Sequence, residues 1–331
     1  MTAYLILVIG LVILVAAGDL LVRGSVSIAL RLCIPTLIIG LTIVAFGTSA
    51  PELVISLNAA LSGSPGIAVG NVVGSNIANI LLVLGLPSIV YATRCDQPDL
   101  MRNTIVMLVA TVAFIALAFT SPLHHWQGVI LVALLIAFLW SSAARTRRDM
   151  AATREARNAA AESACDSDMP EAPSGKLALA VVMVIAGLIG LPVGAHMAVE
   201  GAREIALTWG MSESAVGLTV VAIGTSLPEL AATIMAAFRR ESALAVGNVI
   251  GSNIFNLLSI MGITALVAPV PIGSDILHVD LWAMLVASLA IVPFVYWKVR
   301  IGKVAGLAFL AVYFGYVAVV VANRSVALPG A

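Results

Sequence analysis

Charge is what this chain has least of. Lys, Arg, Asp and Glu together make up 10% of its 331 residues, seventeen of each sign. A soluble domain carries roughly 25% charged residues, so a water-exposed globule is excluded as the ordinary case. Cysteine is also scarce. Cys33, Cys95 and Cys165 fit no metal or redox spacing, and an odd, scattered set gives no disulfide framework. The four histidines, His124, His125, His196 and His278, are dispersed apart from one adjacent pair, which reads as solvent-facing. The first residues, Met1-Thr2-Ala3-Tyr4, carry no basic group, so a cleaved signal peptide is not expected. A net charge of zero says nothing about partners; beyond ions and the lipid bilayer none is expected, nucleic acid included. No cofactor and no catalytic residue is assigned.

What is there is apolar. The chain is 61% hydrophobic with a mean hydropathy of +1.10. Most apolar stretches reach the roughly 20 residues that a membrane helix needs. The expected fold class is an all-α polytopic membrane protein with ten transmembrane helices. The first five spans run about 4–22, 35–60, 66–90, 103–120 and 126–143, and the second five about 177–199, 212–237, 243–267, 280–297 and 303–322. Between the two sets lies the one long polar stretch, Ser141 to Lys176, rich in Arg, Glu, Asp and Ala. Three parts are therefore expected: a five-helix unit over 1–143, a cytoplasmic linker over 144–175 and a second five-helix unit over 176–331. With the N-terminus outside, loops after odd-numbered spans hold 15 of the 17 Lys and Arg residues. Basic loops stay in the cytoplasm, so both termini are expected on the non-cytoplasmic side of the cell (plasma or inner) membrane.

Polar residues interrupt this apolar chain in a pattern that occurs twice. Gly40 to Asn79 and Gly217 to Asn256 align without a gap, 177 positions apart, and agree at 23 of 40 positions. Such self-similarity marks an internal repeat. Five spans is an odd number, so the second unit starts on the opposite face and the repeats are inverted, an arrangement recurrent in secondary transporters. Each copy holds Gly-Thr-Ser-x-Pro-Glu, ending at Glu52 and Glu229. A carboxylate at membrane depth costs at least roughly 2.5–3.5 kcal/mol and is a functional candidate by default. Pro51 and Pro228 remove a backbone donor and block the carbonyl one turn back, so free carbonyls are expected near Ala45, Phe46 and Gly47 and near Ala222 to Gly224. Thr48 and Glu52 share a helix face, as do Ser75 with Asn79 and Ser252 with Asn256. The collected ligands are oxygens, which suit hard cations such as Ca²⁺ and Na⁺; zinc or copper would require Cys or His. Asn71, Asn76, Asn248 and Asn253 differ in helical phase and read as interhelical hydrogen-bond formers. Gly70-x-x-x-Gly74 and Gly247-x-x-x-Gly251 are assigned to helix packing.

With those residues in view, the two GTSxPE and GNxxGSNIxN segments resemble the alpha repeats of the calcium/cation antiporter superfamily, the sodium/calcium exchangers. The resemblance implies exchange of Ca²⁺ against Na⁺ by alternating access. It further implies Glu52, Glu229 and the carbonyls of Thr48 and Thr225 as calcium ligands. Flanking sodium sites would draw on Ala45, Ser49, Ser75 and Glu52, and on Ala222, Ser226, Ser252 and Glu229. Asn79 and Asn256 would complete a midplane ring. Many relatives carry aspartate where this chain has Asn256, and the potassium-dependent branch relies on it, so potassium co-transport is not expected.

Two ionised glutamates are balanced by one Ca²⁺, two Na⁺ or two H⁺. A third Na⁺ would move one net charge, worth about 2.3 kcal/mol per 100 mV. A Ca²⁺/H⁺ antiporter is the alternative reading, since buried carboxyl groups take up protons. An intramembrane hydrolase using paired acids fits less well, because each acid recurs among identical neighbours. A passive channel is the remaining rival.

Overall fold

A computed structural model describes residues 2–163, 177–210 and 224–326. The described residues fold into helices and contain no β-strand. In chain order these are α1 (Thr2–Leu32), α2 (Thr36–Thr48), α3 (Ala50–Leu61), α4 (Pro65–Val90), α5 (Leu100–Ala118), α6 (His125–Ser163), α7 (Leu177–Thr208), α8 (Leu227–Phe238), α9 (Ser242–Val267), α10 (Ile276–Tyr296) and α11 (Lys303–Val326). Eight of them are long and apolar enough to cross a membrane, and α2 with α3 makes a ninth span bent by 42°. This is a multi-pass membrane protein. Of the predicted seventh span, only its end is described, as Gly224 and α8; residues 212–223, Ala222 among them, lie outside the described residues.

Several helices outrun their predicted limits. The first does not stop at 22 but continues to Leu32, because Arg23, Ser25 and Ser27 are polar without breaking a helix. It ends shortly before Pro35, where the chain must turn. The fifth span likewise passes 143 and stays helical to Ser163, so the first part of the expected linker is helix. Its Ala-, Arg- and Glu-rich sequence consists of strong helix formers.

The apolar core divides in two. One cluster joins α4, α5, α6, α9, α10 and α11 with part of α2. The other joins α1 and α7 with parts of α2, α8 and α9. Helices α1 and α7 run antiparallel: Gly201 lies against Ala3 and Leu7, Gly194 against Gly10 and Leu14, Gly187 against Ala17 and Leu21, and Gly24 against Ala180 and Val184. A Cβ on Gly10 would sit 2.5 Å from the backbone nitrogen of Ala198, so glycine is what lets the two backbones meet. Gly247 and Gly251 do the same for α9 against α2: a Cβ on Gly247 would lie 2.6 Å from the oxygen of Leu37, and one on Gly251 2.7 Å from that of Leu41. The packing role assigned to this glycine pair is thus observed, whereas that assigned to Gly70 and Gly74 of α4 is not, since a Cβ on either would meet nothing within 4 Å.

Loops meet across the fold at both ends. Thr93 and Ile301 exchange two backbone hydrogen bonds of 3.0 and 2.9 Å, and Leu123 and Val270 exchange two of 2.9 Å. Asp99 approaches Arg145 at 3.8 Å. At the same end as Arg23, Asp19 of α1 holds Arg239, the residue after α8.

Candidate cation site

Each proline stands in the first turn of a new helix, α3 for Pro51 and α8 for Pro228. There its missing N–H costs nothing, since first-turn donors have no helical partner. The break itself falls at Ser49 and Ser226, with φ −86° ψ 4° and φ −88° ψ 4°. One expectation needs correcting here. The Ala45 carbonyl is not free: it accepts from the Ser49 N–H at 3.1 Å and the Thr48 hydroxyl at 3.3 Å. The helix keeps its ordinary bond right up to the serine, one residue pair later than counting back from proline suggests. The Ser49 N–H engages one lone pair of Ala45 and the single Thr48 proton is shared between that oxygen and Oδ1 of Asn248, which weakens the claim of Ala45 as a sodium ligand.

A second irregularity escaped the sequence reading. Helices α4 and α9 each widen into a π-type turn that begins at Asn79 and Asn256, and α2 does so at Gly40. The oxygen of Asn79 accepts from the N–H of Leu84, five residues on, at 3.2 Å. Such bulges recur at functional sites, because they re-aim side chains within a helix. No spacing rule marks them in advance.

These breaks bring the predicted residues together. Glu52 and Glu229 are 1% and 0% exposed. Ser49 of the first copy donates to Oε1 of Glu229 in the second at 3.0 Å, and Thr48 donates to Oδ1 of Asn248 at 3.3 Å. Asn71 reaches from α4 to α3, donating to the carbonyl of Glu52 at 3.3 Å and the hydroxyl of Ser56 at 3.0 Å. Asn248 does likewise to the carbonyl of Glu229 at 3.5 Å and the hydroxyl of Thr233 at 3.1 Å. Asn71 and Asn248 are therefore the interhelical bond formers expected of them. They tie the two acidic helices to the core.

Fifteen buried side-chain polar atoms lack a hydrogen-bond partner among the described residues. Eight of the fifteen belong to seven of the predicted residues: both carboxylate oxygens of Glu52, Oε2 of Glu229, the hydroxyls of Ser75, Ser226 and Ser252, and Oδ1 of Asn79 and Asn256. All eight are oxygens. Burying acceptors without donors is costly, and a dehydrated cation would satisfy these oxygens together. Thr225 has a partner and is not counted among them. No three His, Cys, Asp or Glu gather among the described residues, so neutral oxygens supply most of this ring.

The comparisons agree with the geometry. The profile of the family described as sodium/calcium exchanger protein matches residues 2–143 and 179–322. The chain belongs to the sodium/calcium exchanger family. Among the chain's relatives, the putative antiporter CaxA of Alkalimonas amylolytica is 35% identical over 96% of the chain and 98% of that protein. The sodium/calcium exchanger MaX1 of Methanosarcina acetivorans is 32% identical over 96% and 97%. The solved structure of the sodium-calcium exchanger NCX_Mj soaked with Na⁺ and Sr²⁺ superposes with a TM-score of 0.80 at 32% identity, covering 96% of this chain and 97% of that one.

Proposed function

We propose that this chain exchanges Ca²⁺ against Na⁺ across the membrane by alternating access, with the ions bound between two inverted repeats. The observation that carries the reading is the ring of buried, unpartnered oxygens to which both copies of the repeated segment contribute. Ca²⁺ takes six to eight oxygen ligands at about 2.3–2.6 Å, and a ring of carboxylates, hydroxyls and amide oxygens can replace its water shell. The proposed ion ligands are Glu52 and Glu229 with Thr48, Thr225, Ser49, Ser226, Ser75, Ser252, Asn79 and Asn256. Ala45 and Ala222 belong to the set through the family resemblance alone.

Ten spans, as five-helix units over 1–143 and 176–331, are supported by the loop contacts. Loops in contact must lie on one face, so an even number of crossings must separate them. Six crossings separate Thr93 from Ile301 and four separate Leu123 from Val270, provided the seventh span is counted. A nine-span chain would make both numbers odd. The antiparallel pairing of α1 with α7, which stand 177 positions apart, supports inversion. The basic loops favour both termini outside, and the Escherichia coli relative named inner membrane protein YrbG, 36% identical over 86% of the chain, favours that membrane.

The test is calcium uptake into proteoliposomes driven by an imposed Na⁺ gradient at matched pH. Uptake that follows the Na⁺ gradient supports the reading, and its absence ends the sodium assignment. Uptake driven by a proton gradient alone would make the protein a Ca²⁺/H⁺ antiporter instead.

A further inference from the structure

Asn76 and Asn253 are buried, stand outside the predicted ligand set, and link α4 to α9 in a closed hydrogen-bond lattice. The Nδ2 of Asn76 donates to the backbone oxygen of Asn253 at 3.4 Å and to Sδ of Met284 at 3.7 Å. In return, the Nδ2 of Asn253 donates to the backbone oxygen of Asn76 at 3.3 Å and to Sδ of Met107 at 3.7 Å. Backbone oxygens and thioethers can only accept. They therefore decide which way each amide is turned: amino group toward those acceptors, Oδ1 away. Each outward Oδ1 then accepts from an asparagine of the other segment, Asn256 Nδ2 to Asn76 Oδ1 at 3.0 Å and Asn79 Nδ2 to Asn253 Oδ1 at 3.1 Å. With their amino groups held this way, Asn79 and Asn256 turn out Oδ1, and both of those oxygens are buried and unpartnered.

We infer that Asn76 and Asn253 are positioning residues that, through Asn256 and Asn79, turn two carbonyl oxygens rather than two amino groups toward the transported cation. This rests on the calcium-exchange reading and adds four residues to it, Met107 and Met284 included. A reversed Asn256 would present N–H hydrogens to the ion, which repel it. The lattice also spans the two copies of the repeat, so the orientation of each ring amide is set by the other copy.

A double-mutant cycle on Ca²⁺ binding tests this, using calorimetry on the purified full chain. Asn76→Leu removes the acceptor that holds Asn256, and Asn256→Leu removes the ring oxygen itself. Each alone should lower Ca²⁺ affinity about tenfold, equivalent to about 1.4 kcal/mol. The double variant should bind no more weakly than Asn256→Leu, because Asn76 acts only through that side chain. Additive losses, about a hundredfold for the double, would overturn the inference. So would wild-type affinity in Asn76→Leu. If leucine prevents folding, Asn76→Ser, which also removes the amide oxygen, decides the same cycle. Absence of Ca²⁺ binding by the unaltered chain would be a different result, bringing down the exchange reading itself.

Discussion

Around the oxygen ring, the asparagine contacts made by one copy of the repeated segment are made again by the other, although the Ser49–Glu229 bond is not, Ser226 and both carboxylate oxygens of Glu52 being unpartnered. Asn71 on Ser56 is matched by Asn248 on Thr233, and Asn79 on Asn253 by Asn256 on Asn76. At the ends of α1 and α8 that correspondence fails. Asp19 bonds Arg23 at 2.9 Å and the Arg239 Nε at 2.6 Å, while the residues 177 positions away from Asp19 and Arg239 are His196 and Ser62. Gly18 lies against Met235 and Ala231 of α8, whereas Val54, the counterpart of Ala231, is 57% exposed. The ring must hold an ion whichever face it came from, and paired chemistry suits that task. In the proposed exchange the rim has only to close one face at a time, and the Asp19–Arg239 latch is not repeated at the corresponding positions of the other copy.

The largest effect should come from breaking the pairing within the ring. Glu52→Gln and Glu229→Gln each keep shape and hydrogen-bonding capacity but remove half of the negative charge. Charge count and rigidity tune protein Ca²⁺ affinities over about six orders of magnitude, so each change should cost on the order of a hundredfold or more in affinity. Calcium flux should fall to background with the protein still inserted and folded. Equal losses would sharpen the symmetric description. Flux retained in one variant would remove that glutamate from the site.

A smaller effect should follow from forcing apart the helices that carry the ring. Gly251→Val would drive side-chain atoms into Leu41 and Ala45 of α2, since even a Cβ there would lie 2.6 Å from the Cβ of Ala45. Overpacking of this kind costs about 1–3 kcal/mol. Thermal denaturation in detergent should show lower stability, and calcium affinity should fall with it because α2 leads directly into Thr48 and Ser49. Unchanged stability would mean that α2 can retreat without strain, and that the close approach is not what aligns the ring.

Much of this was legible in the sequence, for identifiable reasons. Hydropathy marks spans because lipid demands it, and Glu52 and Glu229 stand out because few charges interrupt those spans. The glycine pair of α9 packs as its i, i+4 spacing suggests, but the same spacing at Gly70 and Gly74 of α4 faces open space, so spacing alone does not decide a helix contact. What stayed hidden depends on which backbone bond gives way. Proline removed a donor at 51, yet the helix yielded at Ser49, so the Ala45 oxygen stayed bonded. The π-type turns at Asn79 and Asn256 leave no mark on spacing. Met107 and Met284 lie outside the repeated segments, and only the folded structure reveals that they turn the amides. The end of α1 falls beyond its apolar run because Arg and Ser there do not break a helix, whereas the Ala-rich, charged stretch from Met150 that continues α6 reads as helix from its composition. Nothing local in the sequence points from Asp19 to an arginine 220 residues on.

That last contact gives the smallest effect and the most direct measure of rim asymmetry. The Asp19 side chain is 19% exposed and that of Arg239 33%, so solvent screens the pair only in part. Exposed ion pairs contribute about 0.2–1 kcal/mol, and a contribution present in one conformation alone shifts the balance between conformations by about twofold to fivefold. Asp19→Asn and Arg239→Gln should therefore shift the apparent Ca²⁺ affinity measured from the face bearing Arg239, leaving affinity from the opposite face and the maximal rate nearly unchanged. Oriented vesicles assayed from each side would read this directly. Raising ionic strength with choline chloride should reproduce the shift in the wild type and add nothing in either variant, because the same attraction is being screened. An equal change at both faces would mean that the ion pair stiffens the molecule generally, and that its one-sided placement has no bearing on which face is closed.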